Sequence, residues 1–390
     1  MGTMPVFMTA LSTILGAILF LRFGYAVGHV GLLGTLGIVL LGHLVTIPTA
    51  MAVAEIATNS KVEGGGAYYM ISRSFGLNIG AAIGIALFLS QAISVAFYVI
   101  AFAVSFEPLA DVIYHHYGVY VDNRLAGLIF MALLAMLMLS KGADIGVKAL
   151  YVVVAILLVS LGLFFIGGVY SPSSGDMTAH IENPDNFFYV FTIIFPAFTG
   201  IAAGLGLSGD LKDPKKSIPA GTMWATLVGI IVYIAVVFKL FLSASAEDLA
   251  NTDILIMGKI AIWEPIIPIG LGCAAISSAL GSMMIAPRTL QALGVDKVFP
   301  MQLSLWFAKG KGIRLEPFNA AIVTSVFGFF FVAIGDINFV AQIISMFFMV
   351  TYGAICLISF LEHFAADPSY RPTFRSRWYF SLIGAILCFY

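Results

Sequence analysis

The chain has 390 residues, of which 61% are hydrophobic and 10% charged, with a formal net charge of −1 and a mean hydropathy of +1.03. Apolar runs of membrane-spanning length recur from end to end, which excludes a soluble globular domain and fixes the class as a multi-span integral membrane protein. The net charge identifies no partner, because in such a chain the placement of charge matters more than its sum.

In chain order, apolar runs and the polar gaps between them predict eleven membrane helices, at 5–28, 32–57, 77–105, 124–140, 146–169, 187–207, 219–243, 262–290, 317–334, 337–361 and 378–390. The first 30 residues lack a basic start followed by a small-residue cleavage site, so the first run is expected to stay as a helix. The last run stops at Tyr390, which leads us to expect a twelfth span and any soluble tail outside this sequence. Cys273, Cys356 and Cys388 all sit inside apolar runs without metal-site spacing, so neither a disulfide framework nor a zinc site is expected.

Lysine and arginine placement sets the expected orientation. With the N-terminus in the cytoplasm, 15 of the 19 basic residues fall at or near inner helix ends, while Lys239, Arg124 and Lys259 fall outside and Arg22 lies in the outer half of the first helix. The segment 171–186 carries Asp176, Glu182 and Asp185 without a basic residue, as an outer loop would.

Two of the predicted helices are interrupted. The first contains Thr13-Ile14-Leu15-Gly16-Ala17-Ile18 and the sixth contains Phe195-Pro196-Ala197-Phe198-Thr199-Gly200-Ile201-Ala202. Paired interruptions in corresponding halves of a chain point to the binding site of a secondary transporter. Carboxylates are scarce at depth: Glu55 and Asp210 lie near inner ends and Asp336 in an outer turn. A proton-relay pump would carry Asp, Glu or His deeper. The deep polar groups read from the sequence are instead Ser12, Thr13, Ser94, Tyr98, Thr199, Ser277, Ser278 and Tyr352. Neutral oxygens, with carbonyls freed where a helix unwinds, suit alkali cations. A lone cation in low dielectric is costly, and an anion at the restarting half-helices, where backbone N–H groups meet a positive dipole end, would offset it. Cation–anion cotransport is therefore favoured.

A specific resemblance adds to this. The sequence contains Gly16-Ala17-Ile18-Leu19-Phe20-Leu21-Arg22, then Ile56-Ala57-Thr58-Asn59 with Gly64-Gly65-Gly66-Ala67-Tyr68-Tyr69-Met70-Ile71-Ser72-Arg73-Ser74. Further on come Phe195-Pro196-Ala197-Phe198-Thr199-Gly200 and Ser208-Gly209-Asp210-Leu211, then Ser277-Ser278-Ala279-Leu280, Ala286-Pro287-Arg288, Gln291-Ala292-Leu293 and Ser345-Met346-Phe347-Phe348 with Tyr352. In this order they resemble the membrane domain of the cation-chloride cotransporters, in the sodium/potassium/chloride branch of the amino acid-polyamine-organocation superfamily. The resemblance implies an all-α membrane protein of two inverted five-helix repeats, about 5–170 and 187–361, with the first and sixth helices broken and a partial extra helix at 378–390.

It also implies site residues. Potassium would be held by Thr13, Ile14, Tyr98, Pro196 and Thr199, although Thr13 stands where the family usually has asparagine and offers one hydroxyl on a shorter arm. One chloride would rest on the backbone of Gly16, Ala17 and Ile18, and a second on that of Gly200, Ile201 and Ala202 with the hydroxyl of Tyr352. Sodium would use Ser12, Leu15, Ala274, Ser277 and Ser278; alone, such a serine pair is commonly helix-packing glue. The family's outer gate pairs the Arg22 position with a glutamate that this chain lacks at Val104, and Glu107 is the expected substitute. The expected partners are small inorganic ions and the bilayer, without nucleic acid, catalytic residues or any cofactor beyond the transported sodium, potassium and chloride. The family commonly dimerises, so a homodimer is an open arrangement. An amino acid or amine permease of the same fold remains the alternative, although the single Gly16 beside Ala17 and Ile18 is bulkier than the glycine-rich break of such carriers. A channel or structural membrane protein is a third class, disfavoured by the paired breaks.

Overall fold

The computed structural model describes residues 2–59, 67–141, 147–201, 213–312, 315–365 and 370–390. Among them the regular structure is helical, apart from one isolated bridge between Lys311 and Glu316. In chain order the helices are α1 (Thr3–Ile14), α2 (Ala17–Asn59), α3 (Ala67–Phe75), α4 (Leu77–Val104), α5 (Glu107–Tyr117), α6 (Asn123–Lys141), α7 (Val147–Ile166), α8 (Phe187–Ile194), a 3₁₀ turn (Phe195–Thr199), α9 (Pro214–Ser243), α10 (Ala246–Ala250), α11 (Ile256–Ile260), α12 (Ile266–Val295), α13 (Met301–Ala308), α14 (Phe318–Ile334), α15 (Ile337–Ala365) and α16 (Trp378–Phe389).

Every predicted span has a counterpart, because twenty apolar residues can satisfy their backbone in lipid only by closing a helix. The ends differ. α9 starts at Pro214, a residue whose missing N–H costs nothing in a first turn, rather than at 219. α12 starts at Ile266 instead of 262, since residues 261–265 form an irregular turn in which Lys259 pairs with Glu264 at 2.5 Å. The short helices α3, α5, α10, α11 and α13 escape a search for spans because none is long enough to cross a bilayer. Residues 202–207, the end of the sixth predicted span, and Asp210 lie outside the described residues.

α2 is two helices joined at Gly31, whose φ of +70° and ψ of 178° open a conformation that is nearly glycine-only. The arm 17–30 continues the first predicted span and the arm 32–59 is the second. α4 lies at the centre, packed chiefly on α12 and α15, while α9 packs on both α1 and α2. The main core gathers Leu15, Leu19, Phe23, Phe97, Phe195 and Tyr233, all at 2% exposure or less. Leu40, Met136, Trp224, Ile231, Phe330 and Met346 are largely exposed, as a lipid-facing surface requires.

At the end read as inner, the buried Glu55 of α2 accepts hydrogen bonds from the Ser359 hydroxyl of α15 (2.7 Å) and from the backbone N–H of Ser376 (3.2 Å). Ser359 in turn lies 2.8 Å from the Ser381 hydroxyl of α16. One carboxylate thus ties three elements, which accounts for an acid that the sequence places near the end of a span.

Candidate binding site at the two helix breaks

The first break is made by its own carbonyl. α1 is regular through Ile14, and Leu15 still donates its N–H to the Leu11 carbonyl at 2.8 Å. Leu15 then turns to ψ 32°, and the Thr13 carbonyl oxygen folds over Gly16 so closely that a Cβ there would lie 2.6 Å from it. Only glycine fits. α2 restarts at Ala17, so the N–H groups of Ala17 and Ile18 belong to a first turn with no intrahelical acceptors, at the positive end of the dipole.

The second break has a different cause. Asn186 caps α8, accepting the Phe188 N–H at 2.9 Å, and regular α-geometry ends at Ile194. Pro196 has no N–H to extend the ladder, and the chain tightens into the 3₁₀ turn Phe195–Thr199. The Thr199 hydroxyl donates to the Pro196 carbonyl at 2.7 Å, and the Thr199 carbonyl accepts from the Tyr352 hydroxyl of α15 at 2.8 Å. Pro196 and Thr199, assigned together from the sequence, are therefore in contact, and Tyr352 reaches the same turn.

The two breaks meet. A Cβ on Gly200 would lie 2.5 Å from Cγ1 of Ile14 and 2.8 Å from the Ala10 carbonyl oxygen, so the second break can press on the first only through a glycine. Ile14, Leu15, Gly16, Ala17, Ile18, Gly200 and Ile201 are all buried. Ala202 lies outside the described residues.

The remaining assigned groups surround this contact with unequal geometry. Tyr98, in α4, is buried and turns its hydroxyl towards Ser278 of α12. The Ser278 oxygen is itself buried and makes no hydrogen bond of normal geometry beyond this approach, a state that suits a cation ligand. Ser277 beside it is half-buried and Ala274, one turn earlier, is fully buried. α1 touches α12, so Ser12 and Ser278 sit on contacting helices. Ser12 and Thr13 both donate to the Thr9 carbonyl at 3.0 Å, which leaves their oxygen lone pairs open to an incoming cation. No cluster of three His, Cys, Asp or Glu groups that could hold a metal ion exists among the described residues. The centre is made of neutral oxygens and carbonyls.

The outer pair is not made as expected. Arg22 donates from Nε to the Asn338 side chain of α15 at 2.7 Å and from a terminal nitrogen to the Leu21 carbonyl at 3.0 Å. Glu107 accepts from Asn123 at 2.5 Å instead. The Arg22–Glu107 ion pair is absent from the three found among the described residues. A break in the helix at Ser105 and Phe106 separates α4 from α5, and Glu107 is the first residue of α5.

Sequence reading missed three groups. Tyr233 of α9 is fully buried, and its hydroxyl donates to the carbonyls of Ile14 and Ala197, the latter at 2.8 Å. His43 of α2 is a buried ring 4.8 Å from Phe198, with Nδ1 2.7 Å from the Val39 carbonyl. Asn338 holds Arg22. Tyr233 and His43 were visible as polar groups deep in apolar runs; Asn338, next to the turn residue Asp336, gave no such signal.

The amino acid permease family profile matches residues 5–390. The chain is 33% identical to human (Homo sapiens) solute carrier family 12 member 2, over 98% of this chain and 36% of that protein. It is 34% identical to solute carrier family 12 member 1 of Mus musculus, over 98% of this chain and 40% of the relative. It thus spans well under half the length of these curated relatives. Among solved structures, Mhp1, a nucleobase-cation-symport-1 family transporter in a closed conformation with bromovinylhydantoin bound, superposes with a TM-score of 0.56 at 15% identity, covering 94% of this chain and 81% of that one. At that identity the likeness establishes a shared fold.

Proposed function

This chain belongs to the amino acid permease family, and we propose that within it the protein is a secondary active transporter for electroneutral cotransport of sodium and/or potassium with chloride. The observation that carries the reading is the buried meeting of two backbone breaks, Gly200 against Ile14, inside a lining of uncharged oxygens. The similarity to solute carrier family 12 members supports the same reading.

Potassium is assigned to Thr13, Ile14, Tyr98, Pro196 and Thr199, of which the last two are already in contact. Chloride is assigned to the N–H groups of Gly16, Ala17 and Ile18, and a second to those of Gly200, Ile201 and Ala202 with Tyr352. Sodium is assigned to Ser12, Leu15, Ala274, Ser277 and Ser278, where the buried Ser278 oxygen, which makes no hydrogen bond of normal geometry, favours the ligand role over packing. A cation among carbonyls and an anion on adjacent N–H groups stabilise each other, so neither crosses a low-dielectric centre alone. The repeats, about 5–170 and 187–361, are the units that move around this site. Arg22 serves the outer gate through Asn338, with Glu107 within electrostatic reach rather than in contact. The protein is placed in the cell membrane with a cytoplasmic N-terminus, and a homodimer is its proposed assembly.

Rubidium-86 and chloride-36 uptake into proteoliposomes, with and without sodium, tests the reading. Mutually dependent uptake is expected, with sodium dependence lost when Ser277 and Ser278 become alanine. Uptake of labelled amino acids without a chloride requirement would transfer the protein to the permease alternative.

A further inference from the structure

The assignments above use the phenols of Tyr98 and Tyr352 and leave a third one unemployed. Tyr233 sits well inside α9, and its hydroxyl donates to one carbonyl from each break, Ile14 in the first and Ala197 in the second. Its ring makes the same double contact. Phe23, from the 17–30 arm of α2, stacks on it at 5.0 Å and 17°, and Phe198, from the 3₁₀ turn, meets it edge-on at 5.2 Å and 87°. His43 closes another side at 5.9 Å. Gly229, one turn earlier on α9, makes room for this arrangement, since a Cβ there would lie 2.5 Å from Cγ2 of Ile14.

We infer that Tyr233 is a positioning residue for the cation seat, its hydroxyl tying the two breaks together and fixing the direction of the Ile14 carbonyl. A carbonyl released from a helix ladder can swing, and each direction it samples weakens its use as a ligand. A buried phenol held between two aromatic rings is a fixed donor that removes this freedom. It does so without consuming the ligand: a phenol has one proton, shared between two acceptors, while each carbonyl oxygen has two lone pairs. The Ile14 oxygen can accept from Tyr233 on one side and face a cation on the other. The chloride positions are the backbone N–H groups of Gly16 to Ile18 and of Gly200 to Ala202 with the Tyr352 hydroxyl, all of them donors that Tyr233 cannot orient by donating a hydrogen bond.

This inference rests on the cotransporter reading, and its test separates the two. Wild type and Tyr233→Phe are compared in proteoliposomes for the KM of rubidium, the KM of chloride and the maximal rate, and in detergent for thermal stabilisation by rubidium chloride against choline chloride. Tyr233→Phe keeps the ring contacts and is expected to raise the rubidium KM about fivefold to tenfold, the worth of one hydrogen bond. The chloride KM and the maximal rate stay within about twofold, and stabilisation by rubidium weakens in parallel with the rubidium KM. Phe23→Leu, which disturbs the ring but keeps the hydroxyl, lowers stability without splitting the two KM values. Gly229→Ala, which pushes Ile14 from the hydroxyl, is the second variant and gives the same split should Tyr233→Phe not fold. Equal changes for both ions, or rubidium stabilisation unchanged from wild type, would overturn the positioning role. Wild type that is stabilised by rubidium yet takes it up without chloride overturns the cotransport reading alone.

Discussion

Ser278 shows how one side chain can be a poor choice for stability and a good one for binding. Its hydroxyl is buried and makes no hydrogen bond of normal geometry, with only the Tyr98 hydroxyl directed at it, and an unsatisfied buried group costs up to about 1–3 kcal/mol. Ser278→Ala is therefore expected to leave the melting temperature in detergent unchanged or slightly raised, while sodium dependence of rubidium uptake disappears. A large loss of stability would mean that the hydroxyl packs helices instead. Glu107 offers a pH test outside the membrane-spanning helices. Burial holds its carboxyl above the ordinary glutamate range, Asp111 and Asp253 add repulsion, and the Asn123 hydrogen bond works in the other direction. A raised folded-state pKa contributes stability that is full below the ordinary glutamate value and is lost as pH rises through the raised one. Glu107→Gln should accordingly melt higher than wild type at neutral pH, with the advantage vanishing on acidification. A difference that persists at low pH would count against the burial argument.

At the level of elements, the two breaks were legible and the contacts that their glycines permit were not. Pro196 announces itself, because a residue without an N–H must interrupt a ladder. Gly16 reads as a kink, yet its purpose is to let the Thr13 carbonyl close over it, and Gly200 exists to let one break touch the other. Gly200→Ala places a Cβ 2.5 Å from Ile14 and 2.8 Å from the Ala10 carbonyl oxygen. It should separate the breaks and reduce uptake of both ions at least about tenfold, since misplacing reacting or binding groups by an ångström costs on that scale. Gly281→Ala, where nothing lies within 4 Å, is the control and should transport normally. Equal activity in the two variants would show that contact between the breaks is not needed. The gate expectation failed at this scale too: an arginine and a glutamate can be paired from the sequence only if the course of the chain between them is known, and α5 turns Glu107 towards Asn123.

For the whole molecule, the distribution of basic residues makes a testable statement about sidedness. With 15 of 19 at or near inner helix ends, the proposed cytoplasmic N-terminus would put the loop at 171–186 outside and Lys311 inside. A membrane-impermeant maleimide should label Ser173→Cys on intact cells and Lys311→Cys only after permeabilisation; the opposite pattern would invert the orientation. Membership of the amino acid permease family and the helical fold were borne out, and the expected spans are largely helical across the described residues, because the requirement to bury a hydrogen-bonded backbone in lipid acts on each segment separately and leaves a local record in hydropathy. The same holds for the places where the helices break, which follow from glycine and proline at known positions. What only the packed structure decided is which groups those breaks meet. Tyr233 reaches Ile14, Arg22 finds Asn338 and Tyr352 reaches Thr199 between residues 219, 316 and 153 positions apart in sequence. Contacts at such separations depend on how whole helices lie against one another, and no local pattern of residues encodes that.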